Sequence, residues 1–171
     1  MDSSQDLPTE SSSLKFGEVN EILPFLYLGN VSYTEPETLQ SHGFTHVLAV
    51  DSQSRCQFQN KPRPGAEHIR HCHVSVHDCS TEKIVPEVLK AAEAIKQAKA
   101  TDGAKILVHC SSGYFTSPAI VAAYLMLEEH MRLEEAMALI MRARPVACPT
   151  SRLMRRLEDL DVYLFKRKRR R

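Results

Sequence analysis

The sequence predicts an α/β domain, in which a central, mostly parallel twisted sheet is flanked by helices and joined by a C-terminal helical cluster. Two continuous apolar runs, "THVLAV" and "AKILVHC", are typical of strands that are buried on both faces. Segments whose apolar residues recur at helical spacing separate the strands. The last third of the chain shows helical patterns alone, which is typical of helices that cover an existing sheet.

The first half of the chain predicts short strands and one short helix. "EILPFLYLGN" (21–30) contains β-favouring residues interrupted by a proline and followed by Gly-Asn, which predicts one or two strands. "TEPETLQSHG" (34–43) predicts a short helix with Thr34 as its N-terminal cap and Gly43 as its stop. "THVLAV" is the next strand, and the polar segment 51–67, with its prolines and glycine, predicts a loop.

The second half predicts two strands and four helices. "HCHVSVH" forms a strand that ends at Asp78, and "STEKIVPEVLKAAEAIKQAKA" (80–100) forms a helix with Pro86 in its first turn. After the strand "AKILVHC", the segment 117–130 is apolar almost all round, so we expect a central, buried helix. Two amphipathic stripes predict the last helices: Leu133, Ala136, Met137, Ile140 and Met141, then Leu153, Met154, Leu157, Leu160 and Leu164.

Both ends of the chain differ in composition from the predicted domain, 18–165. Residues 1–17 are rich in serine and acidic residues, which predicts a disordered polar tail. The basic tail 166–171 holds six of the 22 Lys and Arg residues, which leaves 16 against 21 Asp and Glu elsewhere, a net charge of −5. The tail is a solvated helix end, a nuclear import signal or a patch for an acidic partner. With an acidic body, we expect no nucleic-acid partner.

Cysteine usage and hydropathy bear on the compartment. The five cysteines are odd in number and widely spaced, and no signal peptide or membrane-length apolar run is visible, so we expect reduced thiols in an intracellular protein that is cytoplasmic, nuclear or both.

"HCHVSVH" suggests a zinc site. However, His71, His73 and His77 alternate with Cys72, so a strand points them to opposite faces. We therefore expect no metal site there and no cofactor.

The stretch "ILVHCSSGYFTSPAIVAAYLM" (106–126) combines a strand, a glycine-containing loop and the start of a helix. Converging backbone N–H groups and the helix dipole make such a junction an anion site. Cys110 opens the loop, where this field predicts a lowered pKa and a nucleophilic thiolate. Gly113 permits a tight backbone path, and His109 is expected to brace the loop rather than act as a base. The alternative is an inert buried cysteine beside a glycine turn.

"HCSSGYFTS" resembles the His-Cys-x5-Arg-Ser/Thr motif of cysteine-based protein phosphatases, with Thr116 at the arginine position. The flanking segments are similar to the small dual-specificity phosphatases: "VNEILPFLYLGN", "GFTHVLAV", "SPAIVAAYLM" and "AMALIMRARPVACPTSRLMRRLEDL". The resemblance covers about 18–165. It implies the compact α/β phosphatase fold with a shallow cleft for phosphoproteins carrying phosphotyrosine, phosphothreonine or phosphoserine, among them a protein of a kinase pathway.

The resemblance also implies residue roles. Cys110 occupies the position of the nucleophile, Asp78 that of the general acid, and Ser117 that of the hydroxyl that aids breakdown of the phosphocysteine. An aspartate at a strand end is, by itself, also a common turn former. The implied phosphate-binding loop consists of Cys110, Ser111, Ser112, Gly113, Tyr114, Phe115 and Thr116.

Thr116 is the main departure from the motif. It removes a bidentate cation, and loss of a single oxyanion donor costs roughly 10²–10³ in rate. Phe115 adds bulk at the loop, and Thr150 stands where an asparagine is frequent. We therefore expect an inactive pseudophosphatase that binds phosphoproteins. A slow phosphatase using Cys110 and a thiol-based sensor, with Cys79 nearby, are the alternatives. Arg142 and Arg144 are expected to be structural or surface residues.

Overall fold

The computed structural model of the protein describes residues 19–51, 64–76 and 84–166. Within these ranges lie five strands: β1 Asn20–Leu23, β2 Leu26–Asn30, β3 His46–Asp51, β4 Arg70–Ser75 and β5 Ile106–Cys110. The α-helices are α1 Pro36–Ser41, α2 Ile84–Lys99, α3 Thr116–Leu127, α4 Leu133–Ala143 and α5 Ser151–Lys166. A 3₁₀ helix, Val31–Thr34, links β2 to α1.

The five strands form one sheet in the order β1-β2-β5-β3-β4. β1 pairs antiparallel with β2, and every other neighbouring pair is parallel. The predicted α/β fold with a mostly parallel sheet is confirmed. β5 lies in the middle, so its C-terminal end opens at the centre of the edge where parallel α/β sheets bind their ligands.

α3 is the central helix of the domain. Its residues from Ser117 to Met126 are all buried, which follows from a sequence that is apolar on every face. α3 packs against α2, α4 and α5 as well as β5 and β3. The predicted central helix is therefore confirmed, although it ends at Leu127, before His130, which has a φ of 57°.

Some predicted details of the first half are confirmed and one is wrong. Residues 21–30 form two strands, β1 and β2, and Gly43, with a φ of 68°, follows α1 as its stop. Thr34 is not the cap of α1. It ends the 3₁₀ helix, where its Oγ1 donates to the carbonyl of Val31 at 2.7 Å, and Pro36 begins α1 instead.

Several predicted features lie outside the described residues. These are the polar tail 1–17, most of the loop 51–67, Asp78 with Cys79, and the basic tail after Lys166. β4 is a strand that ends at Ser75, before the predicted end at Asp78. Across the described ranges no helix has the length and apolar character that crossing a membrane requires, and no group of three metal-ligating side chains comes together.

Arg132 and Asp161 join the start of α4 to α5. The Arg132 guanidinium donates from Nε to Asp161 Oδ1 at 3.0 Å and from Nη2 to Oδ2 at 2.5 Å. The backbone N–H of Leu133 donates to the same carboxylate at 2.9 Å. The hydrogen bonds from Arg132 hold the pKa of Asp161 below its ordinary value. This pair therefore helps to keep the C-terminal helices together.

We expect Asp161→Asn to lower the free energy of unfolding by about 1–2 kcal/mol at pH 7, since Arg132 is exposed and solvent screening reduces the full value of a charged hydrogen bond. The folded pKa is depressed, so the stabilisation is present above the unfolded pKa and is lost as the pH falls through the folded pKa. Urea unfolding at neutral and acidic pH measures both effects. Exposed Glu158→Gln is the control. If the difference in the free energy of unfolding between wild type and Asp161→Asn is as large in acid as at pH 7, the predicted pH dependence is wrong.

Candidate functional site

The candidate site is the loop that joins β5 to α3. Cys110 ends β5 beside Asn30 of β2, its register partner, and is 6% exposed. α3 begins at Thr116, so the N-terminal N–H groups of a largely buried helix face the region of Cys110. Because β5 and α3 are the most enclosed elements of the domain, the loop is anchored at both ends.

Gly113 makes the tight turn of this loop. Its φ is 73°, and a Cβ at this position would lie 2.6 Å from the carbonyl oxygen of Gly29 and 2.7 Å from Nη2 of Arg144. Both the backbone conformation and the surrounding space therefore require glycine. The turn directs the N–H of Gly113 to the Cys110 sulfur, with an N–S distance of 3.2 Å.

Cys110 lies in an environment that stabilises its thiolate. Its Sγ is 3.2 Å from Oγ of Ser117. Burial raises the pKa of the thiol. The hydroxyl and the backbone N–H of Ser117 lower it, and the N–H groups of Gly113 and Thr116 add to that effect. The net result is a pKa of Cys110 below its ordinary value, in the direction that the strand–loop–helix pattern predicts.

The remaining loop residues are polar or lie near the rim. Ser112 Oγ accepts the N–H of Tyr114 at 3.2 Å, and Ser111 is exposed. Phe115 is 46% exposed and meets the Tyr114 ring edge to face at 6.2 Å. Thr116 contributes its backbone N–H to the field at Cys110, and its side chain carries no charge. The loop thus keeps its backbone donors and lacks a cation at position 116.

His109 is buried within β5, at 2% exposure, next to Gly29 of β2 and Ala49 of β3. Because side chains alternate along a strand, its imidazole points to the face opposite the Cys110 side chain. A bracing role for His109 stays a prediction.

Arg144 is the residue of this site whose importance the sequence did not reveal. It is 1% exposed, donates from Nε to the Gly113 carbonyl at 2.9 Å, and donates from Nη1 to Asn20 Oδ1 at 2.6 Å. Its guanidinium carbon lies 5.8 Å from the centre of the Tyr114 ring. The expectation of a structural arginine is met at Arg144, whereas Arg142 is exposed.

The segment after α4 also contacts the loop through its backbone. The N–H of Cys148 donates to the Tyr114 carbonyl at 2.7 Å. Thr150, which stands at the position where asparagine is frequent, accepts the N–H of Leu153 at 3.3 Å through its Oγ1, at the start of α5. The described residues thus bring together Cys110, Ser117 and the loop, while Asp78 is outside them.

The comparisons with known proteins agree with this geometry. The family model for the dual specificity phosphatase catalytic domain matches residues 26–162, which include β2 to β5, α1 to α4 and most of α5. Human dual specificity protein phosphatase 16 is 34% identical over 144 residues, which are 82% of this chain and 20% of that protein. The chain therefore spans a fifth of the length of this relative.

Two crystal structures show the same architecture. The human tyrosine phosphatase-like serine/threonine/tyrosine-interacting protein superposes with a TM-score of 0.72 and 28% identity, covering 85% of this chain and 97% of that one. Human DUSP28 superposes with a TM-score of 0.70 and 26% identity, covering 85% and 94%. Given the fold, the loop at the end of β5 and the match over 26–162, this chain belongs to the dual specificity phosphatase catalytic domain family.

Proposed function

We propose that this domain is a phosphoprotein-binding pseudophosphatase, which accepts a phosphorylated side chain in the loop after β5 but turns it over very slowly. The observation that carries the proposal is the combination of an intact backbone cradle with Thr116 in place of a cation. N–H groups of Gly113, Thr116 and Ser117 converge near Cys110. Such donors bind an oxyanion through charge-assisted hydrogen bonds.

The chemistry explains why binding survives better than catalysis. A phosphoryl group in transfer carries charge on its equatorial oxygens, and the enzyme lowers the barrier mainly by stabilising that charge. Backbone donors stabilise bound phosphate and the transition state alike, whereas a forked guanidinium adds stabilisation where charge accumulates. Thr116 offers one neutral hydroxyl. The loss of charge therefore affects turnover more than ground-state binding.

The partners that fit this site are phosphorylated proteins with an accessible phosphate. The exposed ring of Phe115, beside that of Tyr114, gives the loop rim an apolar surface next to the anion cradle. An aromatic rim suits a phosphotyrosine ring or an apolar side chain beside a phosphorylated residue. The similarity to a human protein described as tyrosine phosphatase-like and serine/threonine/tyrosine-interacting supports a binding role.

A second candidate function is a slow dual-specificity phosphatase. The specific observation in its favour is the pair of Cys110 and Ser117, whose Sγ and Oγ lie 3.2 Å apart while the pKa of the thiol is lowered. A lowered pKa favours the thiolate that would attack phosphorus, and in this hypothesis the serine hydroxyl assists the second step. Asp78, the proposed general acid, completes this hypothesis.

Binding and turnover of matched peptides separate the two functions. A phosphotyrosine peptide, a phosphothreonine peptide and their unphosphorylated forms are titrated by fluorescence polarisation, and phosphate release is followed with the same protein. We expect the wild type to prefer the phosphorylated peptides at least about tenfold, because two or more charged hydrogen bonds are added. Release is expected to lie at least about 10³-fold below that of a site with an arginine at position 116.

Cys110→Ser is the matched variant, since it removes the nucleophile and leaves the backbone donors in place. Under the binding proposal it retains phosphopeptide affinity. Slow phosphate release that Cys110→Ser abolishes supports the second candidate instead. Equal affinity for phosphorylated and unphosphorylated peptides contradicts the proposed function, whatever the turnover.

A further inference from the structure

The back of the loop is held by the segment that connects α4 to α5. Arg144 Nε donates a hydrogen bond to the Gly113 carbonyl at 2.9 Å. The N–H of Cys148 donates to the next carbonyl, that of Tyr114, at 2.7 Å. Two successive carbonyl groups of the loop are therefore turned towards the same connecting segment, away from the loop interior. A loop that binds an anion needs this arrangement, because carbonyl oxygens facing inward repel the anion.

The orientation of these carbonyls fixes the neighbouring N–H groups. In a trans peptide the C=O and the N–H point in opposite directions. With its carbonyl bonded to Arg144, the 113–114 peptide turns the N–H of Tyr114 back towards the loop, where it meets Ser112 Oγ at 3.2 Å. The same turn directs the N–H of Gly113 to Cys110 Sγ, with an N–S distance of 3.2 Å. Arg144 thus acts on a donor to Cys110 without belonging to the loop.

Arg144 is itself fixed from three sides. It follows α4, its Nη1 donates to Asn20 of β1 at 2.6 Å, and its guanidinium lies over the Tyr114 ring. Its Nη2 occupies the space next to Gly113 that a Cβ would enter. Burial lowers the pKa of Arg144, and neighbouring ionisable groups, Cys110 among them, oppose this effect. Arg144 Nε donates to the carbonyl of Gly113, whose N–H donates to Cys110 Sγ at 3.2 Å, so a single residue separates the guanidinium from the sulfur.

We propose that Arg144 is the positioning residue of the loop: it fixes the turn at Gly113, so that the Gly113 N–H points to Cys110, and it supplies a fixed positive charge from behind the loop. This charge does not replace the one missing at position 116. It lies on the carbonyl side of the loop backbone, so it does not offer two parallel hydrogen bonds to a bound phosphate. It supports the thiolate and the cradle. The part of the proposal that concerns the bound anion rests on the proposed function of the loop.

The test compares wild type, Arg144→Met, Arg144→Lys and Arg142→Met, with thermal unfolding as the folding check. Arg142 is the matched control, because it is an exposed arginine two residues away on α4. The rate of Cys110 alkylation by iodoacetamide, followed by mass spectrometry of its peptide against pH, reports the thiolate. Calorimetric titration with sodium tungstate, a tetrahedral oxyanion, reports the cradle.

We expect Arg144→Met to reduce both the alkylation rate of Cys110 at pH 7 and the affinity for tungstate about tenfold. Arg144→Lys is expected to recover most of the alkylation rate, because it keeps the positive charge. It is expected to recover only part of the tungstate affinity, because an ammonium group replaces a guanidinium that donates from two nitrogens. Arg142→Met is expected to match the wild type. A folded Arg144→Met with wild-type values in both measurements overturns the proposal.

A further measurement does not depend on a variant that folds. In ¹⁵N-labelled wild-type protein, the Arg144 Nε–H resonance is expected to shift with pH together with Cys110 titration, and with tungstate at the same midpoint as the Tyr114 amide. A resonance that responds to neither contradicts the proposal. If the wild type binds neither tungstate nor phosphopeptide, the proposed function fails, and the alkylation and pH data still decide the role of Arg144.

Discussion

Thr116→Arg is expected to raise the phosphatase activity of this domain by about 10³-fold or more, because it adds a bidentate cation to a loop whose backbone N–H groups already converge near Cys110. Gly113, Ser117 and the start of α3 already surround Cys110 with donors. Added charge at position 116 therefore acts directly on the phosphoryl oxygens. The measurement is kcat/KM on phosphotyrosine and phosphothreonine peptides for the wild type and the variant.

Two control variants identify the cause of any gain. Thr116→Lys adds a positive charge that cannot form two parallel hydrogen bonds to a phosphate. It is expected to reach a small part of the activity of Thr116→Arg. The double variant Thr116→Arg with Cys110→Ser is expected to be inactive, since turnover requires the thiolate. If Thr116→Arg stays at the wild-type rate while it binds phosphopeptide more tightly, the defect lies elsewhere in the site, and the missing fork is not the cause.

Gly113→Ala is expected to destabilise the protein by about 2–5 kcal/mol and to abolish tungstate binding. The positive φ of 73° costs an L-residue about 1–2 kcal/mol, and the added Cβ meets the Gly29 oxygen and Arg144 Nη2 below 3.0 Å, which adds about 1–3 kcal/mol of overpacking. Relief requires a movement of the loop or of Arg144. Urea unfolding and calorimetric titration measure the two effects.

Gly103→Ala measures the part of this cost that comes from the positive φ alone, so the difference between the two variants gives the part that comes from crowding. Gly103 has a φ of 66°, close to that of Gly113, but among the described residues, its two chain neighbours apart, no heavy atom lies within 4 Å of a Cβ built there. The Gly103→Ala variant is expected to lose about 1–2 kcal/mol in free energy of unfolding and to leave tungstate binding unchanged. Equal losses for the two variants contradict the view that Gly113 is required by the contact between the loop, β2 and Arg144.

Much of the fold could be predicted because the core follows simple periodicities. The apolar runs at β3 and β5 and the apolar surface of α3 leave few alternatives to a buried parallel sheet. The candidate loop was also visible, since a strand, a glycine and a helix start lie within a dozen residues. The direction of the Cys110 pKa shift followed from that order, because backbone N–H groups at a helix start stabilise a thiolate.

Other features depend on contacts between distant residues, which no local pattern contains. Arg144 has the sequence context of a surface residue at the end of an amphipathic helix, yet it reaches β1 and the loop. Threonine is a residue type that often caps helices, but Thr34 ends a 3₁₀ helix and its hydroxyl donates to the Val31 carbonyl within that helix. In each case the tertiary environment, rather than the residue type, decides the role.

The position of β5 in the sheet has a consequence for fluctuations. Local opening of a sheet begins at its outer strands, where fewer hydrogen bonds and packed side chains must be given up. Here β1 and β4 are the outer strands, whereas β5 is paired on both sides and backed by α3. Cys110 therefore lies on a strand whose opening requires disruption of most of the sheet. The loop at Cys110 is therefore expected to keep its conformation when the outer strands open locally.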